Sequence, residues 1–206
     1  EAPGDGLSNK EDWLRLIGQC GQFQQLSQPL VRFLMLLSAE DTCSDDSAPG
    51  LVKRGRPGLL NVLTWRHWTQ QGTIEHIVPQ SKGADGYAPT IYDDVRLLHG
   101  FGNLTTLPFK VNASLGKRSW SEKRKMYQAL SSETEDKVKE VLKSVTDAKG
   151  NTLKEESKDL LLEAGYLPHL KALATLQEVE VSQDFVERRR QRLGELMWPR
   201  LSAWLG

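Results

Sequence analysis

The chain predicts a mainly α-helical domain with a small β-β-α insert near its middle. Three observations carry that expectation. Apolar residues recur at helical spacing between Leu7 and Ala39, a β-prone and loop-rich stretch interrupts the pattern over 73–107, and helical signals resume after Pro108.

Taken in order, the opening Glu1-Ala2-Pro3-Gly4-Asp5-Gly6 lacks a Met start and reads as a linker (1–7) from a larger protein. Trp13, Leu14, Leu16 and Ile17, then Leu30, Phe33, Leu34 and Leu37, mark two helices separated at Gly18 and Gly21. Residues 40–58, rich in Asp, Ser, Gly and Pro, read as a long exposed loop. A short helix is expected from Leu59 to Trp68, closed by Gly72. Thr73 to Val78 and Asn103 to Leu107 are β-prone, with a Gly/Pro/Asp loop over 81–90. A helix is expected to start at Ser121. Later helices pause at Gly150-Asn151, at Gly165-Tyr166-Leu167-Pro168 and at Pro199. The organisation expected is an N-terminal helical part (8–72), a central core (73–130) and a C-terminal helical part (131–206), forming one structural domain.

Bulk composition narrows the function classes. With 206 residues, 38 % hydrophobic and 26 % charged, the chain is an ordinary globular sequence. Lys+Arg and Asp+Glu both total 27, so net charge gives no global reason to bind a polyanion. Cys20 and Cys43 form no C-x-x-C pair, which argues against a four-cysteine zinc site and against a disulfide framework. They read as thiols of a cytoplasmic protein. No apolar stretch approaches a bilayer span, so no membrane partner is expected.

The richest segment is Thr73-Ile74-Glu75-His76-Ile77-Val78-Pro79-Gln80-Ser81. An acidic residue directly precedes a histidine, and Asn103 and Asn112 follow in Gly102-Asn103-Leu104-Thr105 and Lys110-Val111-Asn112-Ala113-Ser114. A carboxylate and an amide oxygen are hard ligands that suit Mg²⁺. A histidine of unperturbed pKa about 6.5 can deprotonate water near neutral pH. Together they suit metal-assisted hydrolysis of a phosphodiester. Adjacent side chains in a strand point to opposite faces, so Glu75 and His76 share a site only if the chain bends there. Asn103 is placed to orient the imidazole.

The pattern Glu75-His76-Ile77-Val78-Pro79-Gln80-Ser81, Gly102-Asn103-Leu104-Thr105 and Asn112 resembles the HNH, or ββα-metal, endonuclease motif. More narrowly, it is similar to the C-terminal nuclease domain of GmrSD-type modification-dependent restriction enzymes, a domain shared with SspE-like phage-defence proteins. The N-terminal helices and the stretch from Asp184-Phe185-Val186-Glu187-Arg188-Arg189-Arg190 to Trp198 also look like that family. The resemblance implies His76 as general base, Asn103 as the residue supporting it, and Glu75 and Asn112 as ligands of one Mg²⁺ or Mn²⁺. It further implies DNA as substrate and a nucleotide-hydrolysing sensor domain, N-terminal or in a partner chain. No P-loop G-x-x-x-x-G-K-[ST] occurs in this sequence to supply that activity itself. Glu75 stands where HNH enzymes more often carry Asp, and Asn112 where many carry His, which favours Mg²⁺ or Mn²⁺ over zinc.

Lys110, Lys117, Arg118, Lys123, Arg124 and Lys125 cluster after the motif and read as phosphate contacts. Arg54 and Arg56, in a sequence similar to an AT-hook, are weaker candidates for DNA contact. His67 and His169 read as structural. His99, close to Asn103, reads as a partly buried histidine, with a place in the site as the alternative. Arg188-Arg189-Arg190 with Arg192 reads as a solvated face, with DNA or domain contact as the alternative. The competing readings are a DNA-binding module whose nuclease site is silent, and a helical interaction domain for a sensor.

Overall fold

The computed structural model describes residues 9–19, 21–147 and 149–205; the expected N-terminal linker and Cys20 lie outside them. Helical periodicity at the N-terminus becomes three helices rather than two: α1 (Lys10–Gln19), α2 (Gln22–Gln25) and α3 (Gln28–Ala39). Acidic Glu11 and Asp12 suit the positive end of α1. Pro29 sits in the first turn of α3, where its missing N–H costs nothing. Gly18 does not break α1. It lets Arg190 approach instead, because a Cβ there would lie 3.2 Å from that guanidinium, which donates to the Gly18 carbonyl.

The segment 40–58 is not a long exposed loop. It folds into an antiparallel hairpin, β1 (Thr42–Ser44) with β2 (Val52–Arg54), and Glu40, Asp41, Asp45 and Leu51 are buried. The Asp and Ser residues that suggested solvent exposure hold the turn, since Asp45 Oδ1 accepts from the backbone and the hydroxyl of Ser47. The expected helix from Leu59 is displaced. Residues 59–63 stay outside any helix, and the Glu40 carboxylate accepts from the N–H groups of Val62 and Leu63. Thr64 then caps a short α4 (Trp65–Gln70).

The central segment follows the sequence closely. β3 (Thr73–His76) pairs antiparallel with β4 (Leu104–Leu107), Glu75 opposite Thr105 and His76 opposite Leu104. Between them lie a one-turn α5 (Val95–Leu98) and a 3₁₀ turn over Phe101–Asn103. After Pro108 come α6 (Phe109–Leu115) and α7 (Trp120–Leu130). α7 begins one residue before the expected Ser121, because Ser119 and Glu122 form a reciprocal capping box. α8 (Glu135–Lys143), α9 (Glu155–Glu163) and α10 (Lys171–Ala174) are separated near the expected pauses. α11 (Gln183–Leu205) runs unbroken through Pro199. The result is mainly helical, with two small two-stranded sheets among the described residues. None of the described helices is long and apolar enough to cross a membrane.

Two apolar cores meet at β3. Ile74 packs with Trp13, Ile17, Val31, Leu34 and Leu193, whereas Ile77 and Val78 pack with Trp120, Met126, Tyr127 and Phe185. The strand is therefore gripped from both sides. The arginines of α11 are not a solvated face. Arg189 is buried and donates to the carbonyls of Phe101, Gly102 and Leu104 at 2.8–3.1 Å, while burial lowers its pKa to about 10. Arg192 reaches Asp45 and the Val52 carbonyl, and only Arg188 stays exposed, beside Asp184. Gly102 is what lets α11 come this close, since a Cβ there would lie 2.0 Å from the Val186 carbonyl oxygen.

Gly102→Ala should therefore destabilise the fold by about 3 kcal/mol or more, the upper range of overpacking, because backbone rather than a flexible side chain must give way. Gly58→Ala, at φ +76 with open space around the site, should cost about 1 kcal/mol. Urea midpoints of the two variants measure the contrast.

Candidate active site

β3 ends at His76, and the chain bends at Ile77 and Val78. That bend is closed by Asn103. Its Oδ1 accepts from Val78 N at 2.7 Å, and its Nδ2 donates to the carbonyls of Val78 at 3.0 Å and Leu98 at 2.8 Å. Ile77 N donates to the Asn103 carbonyl, which continues the β3–β4 pairing by one step. Beside this bend Glu75 and His76 are both among the residues that line one open cleft of about 470 Å³, with Ile74, Pro79, Gln80, Ser81, Asn112, Gly116 and Lys117. The chain turns only after both residues, and their side chains keep the alternation of the strand, Glu75 meeting Lys123 and His76 meeting His99 and Phe23.

Asn112 projects from α6 toward the side of β3. Its Nδ2 donates to Thr73 Oγ1 and to the Ile74 carbonyl, each at 3.0 Å. A carbonyl can only accept, so the amide orientation is fixed and the oxygen is the atom left for the cleft. Asn103 stands differently from the sequence expectation. All three of its side-chain bonds go to backbone and none to the imidazole, so it supports His76 by fixing the chain that follows it.

The imidazole's own partner is His99, set aside as structural on sequence grounds. His76 Nε2 and His99 Nδ1 are 3.1 Å apart, with the rings edge-on at 85°. Phe23 of α2 packs edge-on to His76 at 4.6 Å between centroids and stacks on His99 at 5.9 Å. His76 is 5 % exposed and His99 6 %. Burial, then the neighbouring His99 and Lys123, lowers the His76 pKa to about 3, so its imidazole is neutral near pH 7.

Lys123 is the clearest correction. The sequence suggests a phosphate contact, but its side chain is fully buried. Its Nζ lies 2.5 Å from Glu75 Oε1 and 2.7 Å from the His76 carbonyl. Helical periodicity explains the error: Trp120, Lys123, Met126, Tyr127 and Leu130 form the inward face of α7, and Lys123 falls on it. Burial pushes the Glu75 carboxyl up and the Lys123 ammonium down, with each charge pulling the other back. The same carboxylate, after burial, helps raise the phenols of Tyr87 and Tyr127.

The other basic candidates divide. Lys110 and Lys117 are exposed on and just after α6, and Lys117 lines the cleft itself. Arg118 is drawn inward to Glu122 and the Ser114 carbonyl. Arg124 is half-buried and lines a separate hollow with Gln128, Lys137 and Lys171. Arg54 donates to the carbonyls of Glu40 and Leu196, tying the hairpin to α11, whereas Arg56 is exposed. Arg54 therefore acts as a structural tie, which the AT-hook likeness did not foresee.

A divalent ion fits the donor set. Glu75 and Asn112 both line the cleft, and the buried hydroxyl of Ser81 in the same wall lacks a hydrogen-bond partner. Among the described residues no three His, Cys, Asp or Glu side chains gather as a ligand cluster. One carboxylate, one amide oxygen and several waters is a set that suits Mg²⁺ or Mn²⁺.

The sequence comparison agrees with this geometry. Residues 26–162 match the family described as GmrSD restriction endonucleases, C-terminal domain. The chain belongs to that family. No curated protein matches it. The GmrSD C-terminal match takes in β3, β4, α6 and α7 with every residue of the cleft, but it begins after Phe23 and ends before Arg189. Of the N-terminal helices likened to the family, α3 lies inside the matched stretch and α1 and α2 lie before it, while the C-terminal likeness lies beyond it; α2 and α11 both touch the site.

Two expectations follow. Lys123→Met should destabilise the domain by about 3–5 kcal/mol by stranding a buried carboxylate, and the double variant Glu75→Gln/Lys123→Met should recover much of that loss in chemical denaturation. The buried histidines set an acid limit. The folded pKa of His76 is about 3 and that of His169 about 4, both depressed. The unfolded chain therefore takes up protons first, and stability falls as pH drops from about 6.5 toward those values, by roughly 1.4 kcal/mol per pH unit for each such histidine. His76→Gln should flatten that fall in a series of denaturation curves.

Proposed function

We propose that this domain is a metal-dependent DNA endonuclease of the HNH, or ββα-metal, type, and the effector of a cytoplasmic anti-phage restriction system. The observation that carries the reading is the convergence of Glu75, His76, the Asn112 amide oxygen and Lys117 on one open cleft. The restriction-endonuclease family supports it from the side of sequence. Residues 73–130 form the nuclease core in this reading, flanked by helical parts 8–72 and 131–206 and preceded by the linker 1–7.

Glu75 and Asn112 are the residues that would hold one Mg²⁺ or Mn²⁺. When bound, such an ion neutralises developing charge and stabilises the leaving 3′-oxygen. The chain's own groups do the rest. His76, neutral and buried on all but its cleft side, accepts a proton from the attacking water. Lys123 holds Glu75 through Oε1 and holds the backbone of His76, so the carboxylate and the imidazole keep a fixed relation. Asn103 keeps the chain bent beyond them. Lys117, with Lys110 beside it, meets the phosphates of the strand. Arg56 and Arg124 are available for more distant phosphate contacts.

Attack in line with the 3′-oxygen leaves 5′-phosphate and 3′-hydroxyl ends. One site cuts one strand at a time, so a monomer nicks. A nucleotide-hydrolysing sensor, N-terminal or in a partner chain, supplies the trigger in this reading. The Glu75–Lys123 ion pair favours one competing reading, a DNA-binding module whose site is silent because its carboxylate is already neutralised.

Supercoiled-plasmid relaxation separates the two. The wild-type domain with Mg²⁺ or Mn²⁺ should nick, and EDTA or His76→Ala should abolish nicking while DNA binding in a gel-shift persists. Binding without nicking, in the presence of the sensor as well, would establish the silent module.

A further inference from the structure

We infer that His99 is the positioning residue for His76: it accepts the His76 Nε2–H at its own Nδ1 and so holds His76 in the tautomer whose free lone pair, on Nδ1, serves the cleft. The inference rests on the endonuclease reading above and adds to it the residue that makes the base competent.

A hydrogen bond between two imidazoles requires an N–H on one side and a lone pair on the other. His76 Nε2 faces His99 Nδ1 at 3.1 Å. His76 lines the cleft, whereas neither His99 nor Phe23 does, so the Nε2 edge is the one turned away from substrate. A base must present a lone pair, and the nitrogen left to present it is Nδ1. Its proton then resides on Nε2, which donates to His99. His99 Nδ1 is consequently the acceptor, and its own proton sits on Nε2. The opposite arrangement, with His99 Nδ1–H donating, would put the His76 proton on the cleft-facing nitrogen and leave no base.

His99 is built to hold that orientation. It caps the C-terminal end of α5, its N–H donates to the Val95 carbonyl, and its carbonyl accepts from Phe23 N at 2.9 Å. Gln22 beside Phe23 accepts from Phe101 N at 3.0 Å and donates to the Ile17 carbonyl at 2.7 Å, which ties α2 across the same turn. A Cβ on Gly21 would come within 3.2 Å of the His99 Cβ, and one on Gly100 within 2.1 Å of the Arg96 carbonyl oxygen, so the backbone around His99 packs too closely for a side chain at either glycine. The Phe23 ring then packs against both imidazoles. Asn103 cannot fill this role, since its amide is spent on the backbone of Val78 and Leu98.

The test compares wild type, His99→Phe and His99→Asn. Phenylalanine keeps a ring and removes the acceptor, whereas the asparagine amide oxygen falls near the place of Nδ1. Ring ¹⁵N NMR of histidine-labelled protein reads the His76 tautomer without any activity. Single-turnover plasmid nicking at saturating metal reads the chemical step, and gel-shift reads DNA affinity. The wild type should show His76 as the Nε2–H tautomer. His99→Phe should lose that single tautomer and nick on the order of 10²-fold more slowly, with DNA affinity within about twofold. His99→Asn should keep the tautomer and most of the rate. Wild-type His76 carrying its proton on Nδ1, or a folded His99→Phe nicking at the wild-type rate, would overturn the proposal. Should His99→Phe fail to fold, the wild-type spectrum and His99→Asn decide it. If the wild type does not nick at all, the endonuclease reading fails, and the tautomer spectrum still reports on the pair.

Discussion

The site depends on the bend that ends β3. The backbone turns directly after Glu75 and His76, at the edge of the cleft that both residues line. A turn at this depth strands backbone donors and acceptors away from water, and each must find a partner. The Asn103 side chain answers that need with one acceptor and two donor contacts, mimicking a strand partner for Val78. Asn103 is wholly buried, and its turn is in turn covered by Arg189 from α11. The order of dependence runs from α11 to the Asn103 turn, to the bend, and only then to Glu75 and His76.

Burial is the second constraint. A carboxylate 4 % exposed needs a counter-charge, and Lys123 supplies it from the inner face of α7. The same ammonium donates to the His76 carbonyl, so one cation satisfies two buried groups of β3. The imidazole at 76 gains from the same dryness in a different way. A neutral ring tolerates burial, and the cation nearby makes protonation harder still. Ion pair and neutral imidazole thus arise from one low-dielectric wall, and the same wall lowers the ring's affinity for a proton.

The sequence made the helical class and the β-β-α insert legible because their signals are local: apolar periodicity, β-branched runs, and Pro108 ahead of a helix. Glu75, His76 and Asn112 were legible as a set because the motif orders them along the chain, and the structure brings them to one cleft. What escaped was tertiary. Nothing near Lys123 shows that it pairs with a residue 48 positions away, since a lysine among basic neighbours reads as solvated until the helix phase is set. Glu40 and Asp45 looked like loop residues, and the fold uses them as buried acceptors that hold the hairpin and the 59–63 segment. His99 carries no local mark beyond its closeness to Asn103. Its meaning comes from Phe23 and His76, which only the folded chain places against it.

The segments outside the family match are not accessories to this site. α2 delivers Phe23 onto both imidazoles and Gln22 onto Phe101 N, so the N-terminal side of the chain packs directly on the His76–His99 pair. α11 delivers Arg189 onto three carbonyls of the turn that carries Asn103, with Gly102 making the close approach feasible. Both segments also bind each other, through Trp13 Nε1 donating to the Gly194 carbonyl and Arg190 donating to that of Gly18. The residues between 99 and 103 are thereby held by a clasp whose two arms come from opposite ends of the chain. A motif read along 73–112 names Glu75, His76 and Asn112, but the surroundings of the His76 imidazole are set by contacts of much longer range, and its geometry belongs to the whole fold.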